Sequence, residues 1–368
     1  MQILSSQVVY RAPGRYAAWP TVGRAPDGGL LAVFSGDREG HVCPFGKTFL
    51  VRSADDGKSW SEPETVNDTP LDDRDAGLCV AADGTLVVSW FSTWRHPDDP
   101  ALPPAWRDHL KKVPDAEVAR WTQDGRLDGD LARRGHWTRR STDGGRTWEE
   151  AVQSPASAPH GPVALADGRL LYVGNEGYRR ADRSSCIAAA VSEDAGRSWS
   201  VAARVSMFPD RPPSEAGGVR YLGEPHAVEV APGRLLALAR HEEQPYVEGR
   251  PTGRLWRFAS EDGGATWSAP EETPILGKPP HLLRLADGRL LATYSYRHAP
   301  YGQRACLSLD GGASWDYDNE AVLRADGPDA DLGYPATVEC ADGALLSLYY
   351  QKRRAGEKPC ILSTRWRP

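Results

Sequence analysis

Apolar and polar residues alternate along this chain in short runs separated by tight-turn dipeptides rather than helix caps. One unit recurs: an apolar-rich run, a turn, then a second apolar run. It reads Pro20–Arg38, Ala76–Phe91, His160–Gly174, Pro280–Arg297 and Pro335–Tyr350 around Asp-Gly turns, and Tyr221–His241 around Pro232-Gly233. Asp-Gly between two apolar runs is a strong hairpin signal. A second motif, Ser-x-Asp-x-Gly-x-(Ser/Thr)-Trp or a close variant, interleaves with the first at Ser53–Trp60, Ser141–Trp148, Ser192–Trp199, Ser260–Trp267 and Ser308–Trp315. Its Asp and Gly suit a tight turn and its Trp suits packing under a neighbouring strand. Self-similarity at this spacing is the signature of a radial or solenoid array.

The pattern predicts an all-β, six-bladed β-propeller spanning residues 1–368 as one domain. The blades are expected at about Arg15–Pro63, from Asp72, Ala158–Val201, Tyr221–Pro270, Lys278–Trp315 and Gly333–Trp366. The second is interrupted at about 95–136 by a segment rich in Pro, Asp and Arg, in which the stretch from Pro104 fits a short helix. The sixth blade lacks the Ser-x-Asp motif and is one strand short. The N-terminal strand, residues 2–10, is expected to supply that strand and close the ring.

Strand periodicity then selects a candidate site. Eight positions before the turn Asp (or Pro232) stand Trp19, Asp75, Pro159, Glu224, Pro279 and Tyr334; six before it stand Thr21, Gly77, Gly161, His226, His281 and Ala336. These residues start the innermost strands and should ring the central axis at one end. Arg240, at the end of an apolar strand, can return to the same face. Asp37, Arg38 and His41 lie in a polar, Gly-rich stretch after a strand, a usual place for function. Asp73, Arg74 and Asp75 sit in one acidic run, and His160 joins His226 and His281 at inner-strand starts.

Composition narrows the partners. The 368 residues carry a net charge of −6 with no basic stripe, so a nucleic-acid partner is not expected. No run is long and apolar enough to span a membrane, and no signal peptide is visible, so a cytoplasmic protein is expected. The six cysteines form no C-x-x-C pair and read as isolated thiols. No cofactor or metal is expected, and oligomeric state is not legible.

The five Ser-x-Asp boxes on a six-fold hairpin repeat resemble the sialidase (neuraminidase) superfamily, the BNR or Asp-box proteins, over essentially the whole chain. The segment Gly223–Val230 resembles that with the family's catalytic glutamate, here Glu224. Leu236–Arg240 and Gln303–Ser308 resemble segments with two arginines of the family's triad, here Arg240 and Arg304. Leu332–Pro335 resembles that with the catalytic tyrosine, here Tyr334. The resemblance implies a tyrosine nucleophile deprotonated by the glutamate, and arginines binding an acidic sugar. A phenol needs such a neighbouring base because its free pKa is near 10.

Two positions depart from the family. Its first arginine is replaced in Ala17-Ala18-Trp19-Pro20, leaving Arg15, Arg38 or Arg74 as substitutes. Its acid/base aspartate is missing near Cys43 and Phe45, leaving Asp37, Asp73 or Asp75, with Asp75 favoured by register. The expected function is a sialidase-like glycoside hydrolase removing a terminal, acidic sugar from a glycoconjugate or oligosaccharide. Tyr334, Glu224, Asp75 and Asp37 are its catalytic candidates. Arg38, Arg74, Arg240, Arg304, His41, His160, His226 and His281 are its binding candidates. A propeller lyase or metal-dependent enzyme acting on uronates through Tyr334 or the histidines, and a non-catalytic carbohydrate-binding propeller, are the alternatives.

Overall fold

The computed structural model describes residues 1–43, 45–69, 71–93, 134–176, 186–205, 219–244 and 253–368, the side chains of 219–221 and 243–244 excepted. Six antiparallel sheets form the blades of a β-propeller, each reading outward from an inner strand in chain order. The first blade is Tyr16–Arg24, Leu30–Arg38, Lys47–Ser53 and Glu64–Asn67; the second is Asp72–Val80, Leu86–Thr93, Gly135–Ser141 and Val152–Gln153. In the third the inner strand is split into Ala156–Ser157 and Val163–Ala164, followed by Leu170–Glu176, Ile187–Ser192 and Ser200–Val205. The fourth is Val219–Ala231, Arg234–Gln244, Arg254–Ser260 and Glu271–Leu276; the fifth is Pro280–Arg284, Leu290–Tyr296, Tyr301–Ser308 and Ala321–Gly327. In the sixth, Gly333–Glu339, Leu345–Gln351 and Cys360–Arg367 are completed by Gln2–Tyr10, which pairs antiparallel with Cys360–Arg367. The closure expected from the repeat is therefore present.

The first, third, fourth and fifth blades extend beyond their predicted ends, because an outer strand follows each Ser-x-Asp box. The interrupting segment also ends earlier than predicted: Gly135 and His136 already pair with Ser92 and Phe91. The helix expected from Pro104 lies outside the described residues.

The boxes do the local work their composition suggests. Ser141 Oγ donates to Asp143 Oδ1 at 2.7 Å and accepts from the Gly145 amide at 2.7 Å, while Asp143 also accepts from the Thr147 amide at 2.9 Å. Gly145 sits at φ 84°, where a side chain would be strained. The box tryptophans Trp60, Trp148, Trp199, Trp267 and Trp315 pack against or within the seams between blades. The apolar core is thus divided among those seams. One seam joins Trp19, Val22 and Phe34 of the first blade to Ala336, Leu346 and Leu348 of the sixth.

Around the axis the packing is close enough to exclude side chains. A Cβ at Gly77 would meet the Gly161 amide nitrogen at 2.3 Å and its Cα at 2.4 Å. There the Leu78 amide donates to the His160 carbonyl at 3.2 Å, joining the second blade to the third. All six cysteines are unpaired thiols. No helix among the described residues is long and apolar enough to cross a membrane.

Gly77→Ala is expected to lower the unfolding free energy by about 3 kcal/mol, because backbone cannot yield as a side-chain tip does. Gly23→Ala, whose Cβ would meet only side-chain atoms of Leu78 and Val80 at 3.4 Å or more, is expected to cost under about 1 kcal/mol. Urea unfolding of the two variants side by side checks this, and equal losses would contradict it.

Candidate active site

Four inner strands break their pairing at one shared position. Register shifts fall between Ala18 and Thr21, Arg74 and Gly77, Gly223 and His226, and Gly333 and Ala336. At each stands a non-glycine residue in the left-handed region: Trp19 at φ 55°, Asp75 at 56°, Glu224 at 48° and Tyr334 at 53°. These are four of the six register-equivalent residues predicted eight positions before the turn, the other two being Pro159 and Pro279. A β-bulge re-aims a side chain, and left-handed backbone on a bulky residue persists only where its surroundings hold it.

The bulges bring Glu224 of the fourth blade and Tyr334 of the sixth together. Tyr334 Oη donates to Glu224 Oε1 at 2.7 Å, and Arg240 Nη1 donates to Glu224 Oε2 at 2.7 Å. The Glu224 amide donates to Asn175 Oδ1 at 3.0 Å, which ties the bulge to the third blade. Burial pushes the Tyr334 phenol well above its usual pKa, and the charges of Glu224 and Asp75 add to the shift. Trp19 faces Tyr334 with ring centroids 6.4 Å apart.

Asp75 is only 8% exposed, and its carboxyl has no hydrogen-bond or ion-pair partner among the described residues. Burial first, and the negative charge of Glu224 second, raise its pKa to about 7. It is therefore a carboxylic acid poised to hold or release a proton near neutrality, electrostatically coupled to the Tyr334–Glu224 pair.

The other predicted residues are distributed unevenly. Arg240 also binds Glu242 through Nε at 3.0 Å and through Nη2. His41 approaches Trp19 edge-on at 5.0 Å, with Nδ1 3.1 Å from Tyr16 Oη, which donates to Asp331 at 2.8 Å. Arg74 lies between the Trp19 and Phe91 rings, with Nε 3.2 Å from Asp72. Arg38 is fully buried and binds Asp72 at 2.5 Å and the carbonyls of Asp73 and His41, a brace beneath the Trp19 ring. Asp73 accepts from Asn67, Thr69 and Ser92 and anchors its own strand. Asp37 turns to Lys47 at 3.2 Å and Arg15 at 3.5 Å, not to Tyr334. Arg304 is ion-paired with Glu320 and stacks 3.6 Å from the Tyr296 ring centroid, with no contact to Glu224 or Tyr334.

The three histidines do converge on the axis. The His226 and His281 rings stack at 4.5 Å, and His160 meets them edge-on at 5.6 and 5.1 Å. His226 Nδ1 accepts from the Leu282 amide at 2.9 Å, and burial lowers its pKa to about 3. Burial likewise holds His160 and His281 well below the usual range. They form a neutral plug. Among the described residues no His, Cys, Asp or Glu cluster has the arrangement of a metal site.

Lys278 and Arg297 were missed. Lys278 Nζ is 2.7 Å from Glu242, and the Arg297 guanidinium lies 5.6 Å from the Tyr334 ring centroid. The signal for Arg297 was present: counting ten residues forward from the turn on the second strands gives Asp37, Thr93, Gly177, Glu242, Arg297 and Lys352.

Acid should weaken the fold through the plug. A folded pKa of about 3 for His226, against about 6.5 unfolded, makes its share of stability complete above pH 6.5 and lost as pH falls towards 3. The slope is about 1.4 kcal/mol per pH unit. His226→Asn, which keeps an acceptor for the Leu282 amide, is expected to flatten the difference in unfolding free energy between pH 7 and 5 by about 2 kcal/mol. Parallel pH dependence in both proteins would contradict this.

The model of a BNR repeat-like domain matches residues 118–346. No curated protein sequence matches the chain. Among solved structures, a protein of unknown function from Dyadobacter fermentans is similar over 99% of this chain and 98% of its own, at 26% identity and a TM-score of 0.75. The NanB sialidase of Streptococcus pneumoniae, as a K499G mutant, is similar at 14% identity and TM-score 0.67, over 98% of this chain and 70% of its own. The alpha-L-arabinanase of Penicillium chrysogenum, solved with arabinobiose, is similar at 16% identity and TM-score 0.64, over 99% and 98%. With the family match covering more than half the chain, the chain belongs to the BNR repeat-like domain family, and its six-bladed fold is similar to that of sialidases.

Proposed function

We propose that the chain is a glycoside hydrolase that releases a terminal acidic sugar from a glycoconjugate or oligosaccharide through the Tyr334–Glu224 pair. The observation that carries this reading is the 2.7 Å hydrogen bond from Tyr334 Oη to Glu224 Oε1, made by two left-handed bulge residues on different blades. The likeness to sialidases and to an arabinanase supports a glycosidase-like propeller.

In the first step Tyr334 Oη attacks the anomeric carbon, Glu224 takes the phenol proton, and Asp75 gives a proton to the departing oxygen. A buried phenol with a raised pKa cannot ionise beforehand, so attack and proton transfer go together. In the second step Asp75, now a carboxylate, takes a proton from water, water oxygen attacks the anomeric carbon, the bond from that carbon to Tyr334 Oη breaks, and the proton on Glu224 returns to Tyr334 Oη. Two displacements at one carbon retain its configuration. Arg240 holds the Glu224 carboxyl in place through its ion pair at 2.7 Å.

Tyr334→Phe and Glu224→Gln are each expected to lower kcat by about a thousandfold or more, with melting temperature nearly unchanged. Release of phenol from aryl glycosides of ulosonic, uronic and neutral sugars is the assay; wild-type turnover in either variant would remove the pair from the chemistry.

Because Asp75 must be protonated to act first, kcat/KM is expected to fall as pH rises through about 7. Asp75→Asn should erase that alkaline limb and slow alkyl glycosides by about 100-fold or more, with far less effect on activated aryl glycosides. An unmoved limb in Asp75→Asn would assign the acid elsewhere.

A further inference from the structure

Glu224 is one end of a row of four charges. Arg240 bridges two carboxylates, with Nη1 on Glu224 Oε2 at 2.7 Å and both Nε and Nη2 on Glu242 Oε1. Lys278 Nζ donates to the same Glu242 Oε1 at 2.7 Å. Two positive and two negative charges therefore offset one another. Glu242 ends the run of its strand, Arg234–Gln244, at the register that Arg297 occupies on the fifth blade, ten residues after the turn. Arg297 at that register lies over the Tyr334 ring, so the position looks onto the open end. The four side chains are each 12% to 19% exposed, and the row is reached by solvent beside the Tyr334–Glu224 pair.

The hydrogen bonds within the row are lopsided. Three donors crowd onto Glu242 Oε1, while Oε2 takes none among the described residues and is not sealed from solvent. Burial works against the charged form of Glu242, but Arg240 and Lys278 bring its pKa down to about 2, so it is a carboxylate at neutral pH. Lys278 is its complement. An ammonium has three donors, and among the described residues one of them is used, on Glu242. A charged acceptor and a charged donor thus lie side by side, fixed by their own contact, each with capacity left over. Offsetting the charges of Arg240 and Lys278 needs Oε1 alone. An anion placed here would face the Glu242 carboxylate, and a cation would face Arg240 and Lys278. A pair of neutral hydroxyls suits both groups: one donates to the carboxylate and its neighbour accepts from the ammonium. Gauche hydroxyls on adjacent ring carbons stand about a hydrogen-bond length apart, which matches the spacing of the two groups.

We propose that Glu242 and Lys278 recognise a vicinal diol of the bound sugar, one hydroxyl donating to Glu242 Oε2 and the adjacent one accepting from Lys278 Nζ, and so select sugars by their hydroxyl pattern. The inference rests on the proposed function for taking the ligand to be a sugar, but binding tests it without hydrolysis.

The test is calorimetric titration of the full chain with free monosaccharides (a ulosonic acid, a hexuronic acid, a neutral hexose and a pentose) and with singly deoxygenated analogues of whichever binds. In the wild type, removing either of two adjacent hydroxyls is expected to weaken binding about tenfold or more. Glu242→Gln should weaken the parent sugar by a similar factor and bind the analogue lacking the donating hydroxyl no more weakly than the parent. Lys278→Met should do the same for the neighbouring hydroxyl, so that variant and analogue losses are not additive. If Glu242 did no more than offset Arg240, Glu242→Gln would shift every sugar by one factor, whatever hydroxyls it carries. That result, wild-type binding that depends on no adjacent pair, or no sugar binding the wild type would each overturn the proposal. Unliganded melting temperatures identify a variant that fails to fold, in which case the other variant and the wild-type analogue series decide. If the diol is recognised as described but no glycoside is hydrolysed, the hydrolase reading fails and this one stands. If glycosides are hydrolysed and their deoxy analogues show the same KM ratios in the wild type, Glu242→Gln and Lys278→Met, the hydrolase reading stands and this one fails.

Discussion

The open end of this propeller depends on one backbone constraint, the left-handed bulge shared by four inner strands. An ordinary strand would alternate its side chains between the two faces of its blade. At Trp19, Asp75, Glu224 and Tyr334 the bulge turns the side chain out of that alternation. Each bulge costs roughly 1 kcal/mol or more in backbone energy. The seam cores on either side, and contacts such as Asn175 to the Glu224 amide, hold the chain in that conformation. Blades are rigid, seam-packed sheets, so four side chains on four elements remain in fixed relation.

Electrostatics then separates the roles. Glu224 and Asp75 are both carboxyls on bulges, yet one is braced by Arg240 and hydrogen-bonded by Tyr334, while the other is buried with no hydrogen-bond or ion-pair partner among the described residues. Burial and the neighbouring Glu224 raise Asp75 to about 7. Two like groups are thereby set in different electrostatic surroundings, which is how acid and base steps can be divided within a single site. The plug of His160, His226 and His281 closes the axis with neutral rings.

Much of this was legible because the repeat supplies its own ruler. The turn Asp fixes register, and counting back eight residues finds the bulge residues without any structural knowledge. The cysteines and the strand exchange at the closing blade were equally readable. Arg304 shows where counting fails. Its segment resembles the family, but its side chain is drawn aside by Glu320, and nothing local to Gln303–Ser308 announces that partner. Asp37 and Arg38 likewise end in pairs with Lys47, Arg15 and Asp72, none of which their own stretch identifies as partners.

The sequence by itself determined the fold class, the number of blades, the closing strand and the ring of positions at the axis, because each follows from periodicity and turn chemistry along the chain. Only the tertiary structure decided which charges offset one another. Arg240 is offset by Glu224 and Glu242, Arg304 is ion-paired with Glu320 while its Nε stays without a partner, and Arg297 is left with a buried donor above Tyr334. That outcome depends on distances between side chains from different strands and blades. Coulomb energies and desolvation are set by those distances and by burial, which no local pattern encodes.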